Sequence, residues 1–164
     1  MNRRLLASFL VLFVAGCSMP RIIVLNDPLD ARGHNDLGVA YEASGETDLA
    51  LREYRKAADL DKQWDRPLLN RGNVLAGRQD WEEAAASYRA ALDRNPANGE
   101  AMNNLAWVLL QQGDMKRARL WAGKAVEAEP DNPAFRDTLI EIEERLATSE
   151  DAGRERNRET PPAL

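Results

Sequence analysis

The chain has 164 residues, enough for one domain. Its 44% hydrophobic and 30% charged content is ordinary for a soluble helical protein, and a formal charge of −5 speaks against nucleic acid, which needs clustered Lys and Arg. One cysteine and one histidine exclude an internal disulfide and a thiolate metal cluster.

Residues 1–16 read as a targeting segment. Arg3 and Arg4 form its positive end, and residues 5–14 are apolar but too short to span a bilayer, which takes about 20 residues. Val14, Ala15 and Gly16 then precede Cys17, the single cysteine. This order resembles a bacterial lipoprotein signal, in which the cysteine is acylated and becomes the first residue. The alternative is an ordinary secretory signal that contains a cysteine. The resemblance implies lipidation at Cys17 and a membrane anchor, since two or more acyl chains hold stably where one does not. Ser18 rather than Asp follows Cys17. By the same resemblance, the chain is expected in the cell envelope, at the outer membrane and facing the periplasm.

Residues 17–30 form a lipidated tether, where Pro20 and Pro28 discourage a helix. The four apolar residues at 22–25 are unusual for a solvated linker. They are expected to pack on the first repeat, or else to dock a partner. Asp27 and Pro28 look like a helix cap and first turn, so the first helix is expected from near Pro28.

From residue 31 a pattern recurs every 34 residues. Gly38, Gly72 and Ala106 form one column. Ala50, Ala84 and Ala118 form a second, and Ala57, Ala91 and Ala125 a third. Tyr54 and Tyr88 form a fourth, where the third copy has Ala122 beside Trp121, as if the aromatic bulk had moved over by one residue. Pro96 and Pro130 close the second and third copies, and Lys62 stands there in the first. Two antiparallel helices pack closely only where facing side chains are small. The glycine column is therefore expected to meet Ala50, Ala84 and Ala118, with the tyrosines filling the gap beside each small pair.

The column set resembles the tetratricopeptide repeat. The fold class expected is all-α: an α-solenoid of three such hairpins, at about 31–64, 65–98 and 99–132, plus a C-terminal capping helix at 133–147. Gly45 is expected to end one helix, Thr47 or Asp48 to start the next, and Pro67 to sit in a first turn. Arg71, where the other copies have Leu37 and Leu105, should loosen its hairpin or present a charge. Trp81 should pack between repeats. In the capping helix, Phe135, Leu139, Ile142 and Leu146 make one apolar stripe, opposite Asp137, Glu141, Glu144 and Arg145. Residues 148–164 have little to bury and are expected to be disordered.

Catalysis finds no support: there is no glycine-rich phosphate loop, and His34 has no partner at ligand spacing and reads as a solvated or groove-facing residue. No enzyme activity, cofactor or metal is expected. In the family that the columns resemble, the first helices line a concave face that holds proteins or extended peptides. That implies a peptide-binding set of Arg32, Asn35, Arg66, Asn70, Asn73, Asn103, Asn104 and Trp107. Four asparagines on two adjacent helices call for a reason, because asparagine is a middling helix former. Its amide both donates and accepts, which suits a peptide backbone. Trp107 is either a stacking platform or core. Asn73 and Asn104 match the asparagines of the family's carboxylate clamp, but Leu69, Ala134 and Thr138 stand where it needs cations, so no clamp is expected.

The leading function is a membrane-anchored adaptor that recruits a protein or peptide into a cell-envelope complex of the pilus or secretion type. One alternative is an accessory to a papain-like (C39-type) peptidase, whose accompanying segments the stretch at residues 26–46 resembles. Another is a self-associating structural protein. Oligomeric state and partner identity are not readable from the residues.

Overall fold

The computed structural model of the chain describes residues 27–159. The expected signal peptide, Cys17, most of the tether and residues 160–164 lie outside them. The described residues form seven helices: α1 (Ala31–Ala43), α2 (Thr47–Leu60), α3 (Arg66–Gly77), α4 (Trp81–Arg94), α5 (Gly99–Gln111), α6 (Met115–Ala128) and α7 (Pro133–Glu159). The all-α solenoid of three hairpins is as expected.

The first helix starts later than the Asp27–Pro28 pair suggested. Asp30 is the cap, its carboxylate accepting from the Gly33 N–H at 2.8 Å. Asp27 instead accepts from the Leu29 N–H. Asn98 and Asp114 cap α5 and α6 in the same way. Pro67 sits in the first turn of α3, where a missing N–H costs nothing.

Each hairpin turns through the same device. The amide of Glu46, Asp80 or Asp114 reaches back five residues to Tyr41, Leu75 or Leu109. The residue before it has positive φ: Gly45 at 82°, Gln79 at 64° and Gly113 at 79°. Only the second copy lacks glycine there. A left-handed conformation costs a non-glycine residue about 1–2 kcal/mol. Gln79→Gly should therefore stabilise the chain by about 1 kcal/mol, read as a higher urea midpoint with an unchanged slope.

The close contact inside each hairpin differs from the expectation. A Cβ on Gly38 would lie 2.6 Å from the Tyr54 ring, and one on Gly72 would lie 2.5 Å from the Tyr88 ring. The glycine's near partner is thus the tyrosine ring, not the alanine column. Both rings are almost wholly buried. In the third copy both members change together: Ala106 has a Cβ, Ala122 has no ring, and both are fully buried. Trp121 does not take the ring's place inside this hairpin. It lines a recess with Leu92, Pro96 and Met102, facing the second repeat. Gly72→Ala should cost about 1–3 kcal/mol by overpacking, and the cost should shrink in a Tyr88→Ala background, as a double-mutant cycle in urea would report.

The main core runs through α3 to α7, around Leu69, Leu105, Leu109 and Ile142. The first repeat is different. The residues that α1 buries are His34, Asn35 and Gly38. Arg71 does not stand free: its guanidinium donates to the buried Ser87 hydroxyl at 2.6 Å within its own hairpin. Trp81 starts α4 and packs partly buried against the core, as expected.

Helix α7 buries Phe135 and Ile142 and half-buries Leu139 and Leu146, the stripe read from the sequence. It runs on to Glu159, which corrects the expected end at Ala147 and the expected disorder of 148–159. Residues 148–152 are exposed, so burial does not hold them. Elongating a nucleated helix fixes one residue per hydrogen bond and needs no core. Thr148 and Ser149 hydroxyls bond back to Glu144 and Leu146 carbonyls, and Arg154 pairs with Asp151.

Candidate peptide-binding face

Consecutive first helices touch one another, α1 with α3 and α3 with α5, whereas the second helices α2, α4 and α6 do not. Crowding on the first-helix side makes it the inner side of the curve. Three side-chain bonds cross it. Asn70 donates to the Asn35 carbonyl at 3.0 Å, Asn104 donates to the Asn73 carbonyl at 3.0 Å, and Arg66 pairs with Glu100 at 3.1 Å.

The asparagines are therefore gathered on one face, but they are partly used up there. Asn35 is buried, and its carbonyl is taken by Asn70. The Asn73 carbonyl also accepts from the Tyr88 hydroxyl at 2.8 Å, which ties this row to the ring that packs on Gly72. Burial holds the Tyr88 hydroxyl well above its ordinary pKa of 10.0, so it remains a donor. The Asn103 side-chain oxygen is buried and finds no partner. Arg66 is committed to Glu100. Arg32 stands apart, lining a recess with Asp61, Gln63 and Trp64 at the α2–α3 loop.

Two side chains on this face remain open. Trp107 is 38% exposed, with its ring edge-to-face on Trp81 at 5.4 Å. Trp107 is thus neither core nor a loose platform: Trp81 fixes its plane and leaves one side free. Val39 is 48% exposed and was missed by the sequence reading. The signal was present, because Val39, Asn73 and Trp107 fall in one column at the repeat spacing. Leu69 is fully buried, which removes the clamp's first cation position physically as well as chemically.

His34 corrects its expectation as a solvated residue. It is 2% exposed and lies between α1 and α2. Its Nδ1 is 2.8 Å from Glu53 Oε2, and its Nε2 is 3.4 Å from Asp27 Oδ2. Lys56 joins both carboxylates at 3.1 and 3.3 Å, and Arg52 adds a bond to Glu53. Burial works against ionisation of Glu53, but bonds from His34, Arg52 and Lys56 outweigh it and hold the carboxyl below its ordinary 4.5. A depressed carboxyl stabilises the fold above its unfolded pKa and loses that contribution as pH falls through the folded one. Wild type should therefore outlast Glu53→Gln in urea at neutral pH. The gap should close only as pH drops below 4.5.

Among the described residues, no group of three His, Cys, Asp or Glu side chains is placed to hold a metal, and no helix is long and apolar enough to cross a membrane.

Comparison with known proteins agrees with this geometry. Two tetratricopeptide-repeat family profiles match, one over residues 31–64 and one over residues 69–133. Type IV pilus assembly protein PilF of Pseudomonas aeruginosa is 30% identical over 113 residues, which is 66% of this chain and 44% of that protein. Photosystem I assembly protein Ycf3 of Rippkaea orientalis is 35% identical over 95 residues, 56% of this chain and 53% of that one. The Drosophila melanogaster protein O-mannosyl-transferase Tmtc1 is 33% identical over 104 residues, but those span 60% of this chain and only 12% of the transferase. The chain thus spans about half or less of these three relatives. Among solved structures, the first tetratricopeptide domain of Spaghetti (RPAP3), bound to the HSP90 peptide SRMEEVD, superposes with a TM-score of 0.69 at 21% identity, covering 74% of this chain and 96% of that one. The second such domain of human RPAP3, with the HSP70 peptide SGPTIEEVD, gives 0.66 at 19% identity over 69% of this chain and 94% of that one. At such identities the likeness speaks for the fold alone. With the matched profiles it gives one conclusion: over residues 31–64 and 69–133 the chain is a tetratricopeptide-repeat protein.

Proposed function

We propose that this protein is an adaptor that holds a protein or extended peptide on its first-helix face, and that a lipid at Cys17 fixes it to a membrane of the cell envelope. The observation that carries the binding reading is the inner-face row of Val39, Asn73 and Trp107. It has two exposed apolar side chains flanking an ordered asparagine lattice. An exposed tryptophan with its plane fixed is a typical anchor for a partner's side chain. Relatives named for pilus assembly and photosystem assembly favour a role in building a larger complex. The order Ala15, Gly16, Cys17 supports the anchor, and the outer membrane facing the periplasm is the location that Ser18 favours. The peptidase-accessory and self-association alternatives gain no observation here.

Capture of crosslinked partners from membranes tests the reading. Val39→Asp alters an exposed side chain and should fold normally, Trp107→Ala should keep the fold at some cost in stability because it also removes the contact with Trp81, and each should lower partner recovery roughly five- to thirtyfold, as loss of one anchor of about 1–2 kcal/mol requires. Undiminished recovery with both variants would move binding off this face. In the same extracts Cys17→Ser should shift the chain out of the membrane fraction. Its retention there would contradict the lipid anchor.

A further inference from the structure

The outer side of α6 differs from that of the two second helices before it. At the repeat spacing, α2 carries Asp48, Arg52, Arg55 and Asp59, and α4 carries Glu82, Ala86, Arg89 and Asp93. In the same columns α6 carries Lys116, Leu120, Gly123 and Glu127. Spacings of four, three and four place each set along one side of its helix. On α2 and α4 both ends of the stripe are acidic and arginine lies within. On α6 the ends have opposite charge, and a large and a small apolar residue lie between them.

This stripe is open. Leu120 is 56% exposed, and a Cβ on Gly123 would meet nothing within 4 Å. Leu120 and Gly123 line a recess with Leu139 of α7, beside the Arg119–Glu143 ion pair. Lys116 and Glu127 border the same recess, and among the described residues neither has an ion-pair partner. Turned end for end about the point between Trp121 and Ala122, the stripe matches itself: 116 falls on 127 and 120 falls on 123. The other two stripes fail this operation. It would set Asp48 on Asp59 and Arg52 on Arg55 in α2, and Glu82 on Asp93 in α4.

We propose that α6 pairs antiparallel with α6 of a second copy of this chain, each Leu120 seated over the other copy's Gly123 and each Lys116 facing the other copy's Glu127. Size and charge are both complementary in this arrangement and in neither of the alternatives on α2 and α4. The contact is isologous and closes at two, so it joins two adaptors and builds no filament. The outer side is the convex one, so α4 turns away from the contact and both inner faces stay open. Two open faces in one dimer hold a partner with repeated segments more firmly than one face does. The pairing depends on the outer side alone and stands or falls separately from binding on the inner face.

Energy transfer between donor- and acceptor-labelled full chains in detergent tests it. Wild type should show transfer that rises with chain concentration up to about 1 mM. Lys116→Glu in both colours, or Glu127→Lys in both, should weaken association roughly tenfold, because two exposed pairs turn from attractive to repulsive. A Lys116→Glu donor mixed with a Glu127→Lys acceptor should recover it, since opposite charges then meet at both ends. Gly123→Leu should weaken pairing by a similar factor while raising the urea midpoint of the dilute monomer, as a helix interior loses its glycine. A merely structural role for Gly123 would lower that midpoint. Absence of transfer from wild type at about 1 mM would overturn the pairing. So would a mixed sample that fails to recover, or transfer that every variant retains.

Discussion

The structure depends on how closely the two helices of a hairpin can approach. In the first two repeats that distance is set by a tyrosine ring packed against a glycine, with no room for one more carbon. In the third, two alanines meet the same requirement by a different division of volume. Because the pair is solved jointly, the tyrosine hydroxyl's position is also set. In the first hairpin it donates to Glu42, and in the second it donates to Asn73 on the inner face. The packing contact therefore reaches the surface proposed to bind, and the second repeat couples stability to the shape of that surface.

The inner face shows how a polar lattice can serve folding and recognition together. A helix interface made only of leucine would pack well in many registers. Amide-to-amide bonds between α1 and α3 and between α3 and α5 fix the register of successive repeats. They also restrict what remains for a ligand. The free elements are the exposed sides of Val39 and Trp107 and the unshared lone pairs and N–H groups of the asparagines. This favours an occupant that offers apolar side chains at intervals and uncharged backbone between them. The first repeat carries this principle furthest, since α1 adds a buried His–Glu pair and a chain of charges to the contact between Gly38 and the Tyr54 ring.

Most of the architecture was legible because its cause is periodic. Small residues at a fixed interval, the glycine that ends the first helix and an amphipathic last helix each reflect one local requirement, and each was readable. What escaped the sequence depended on pairing across elements. His34 looked isolated because Glu53 lies 19 residues away, on the other helix. Arg71 looked disruptive because its partner Ser87 is an unremarkable residue in its own position. The asparagines looked like free ligand groups because nothing local shows that two of them bond to two others. Val39 was overlooked because a valine on a helix surface carries no signal until its column is read together with Trp107. The extension of α7 beyond Ala147 was misjudged because burial was taken as the condition for helix, whereas propagation from a packed turn suffices.

The central claim is that partners are held on the inner, first-helix face. Site-specific photo-crosslinking in living cells addresses it most directly, with the reactive group placed in turn at Val39, Trp107 and Ala86, the last an exposed position on the second helix of the middle repeat. The account predicts that positions 39 and 107 crosslink to one and the same protein and that position 86 does not. Crosslinks from position 86 alone would contradict it and place recognition on the outer surface.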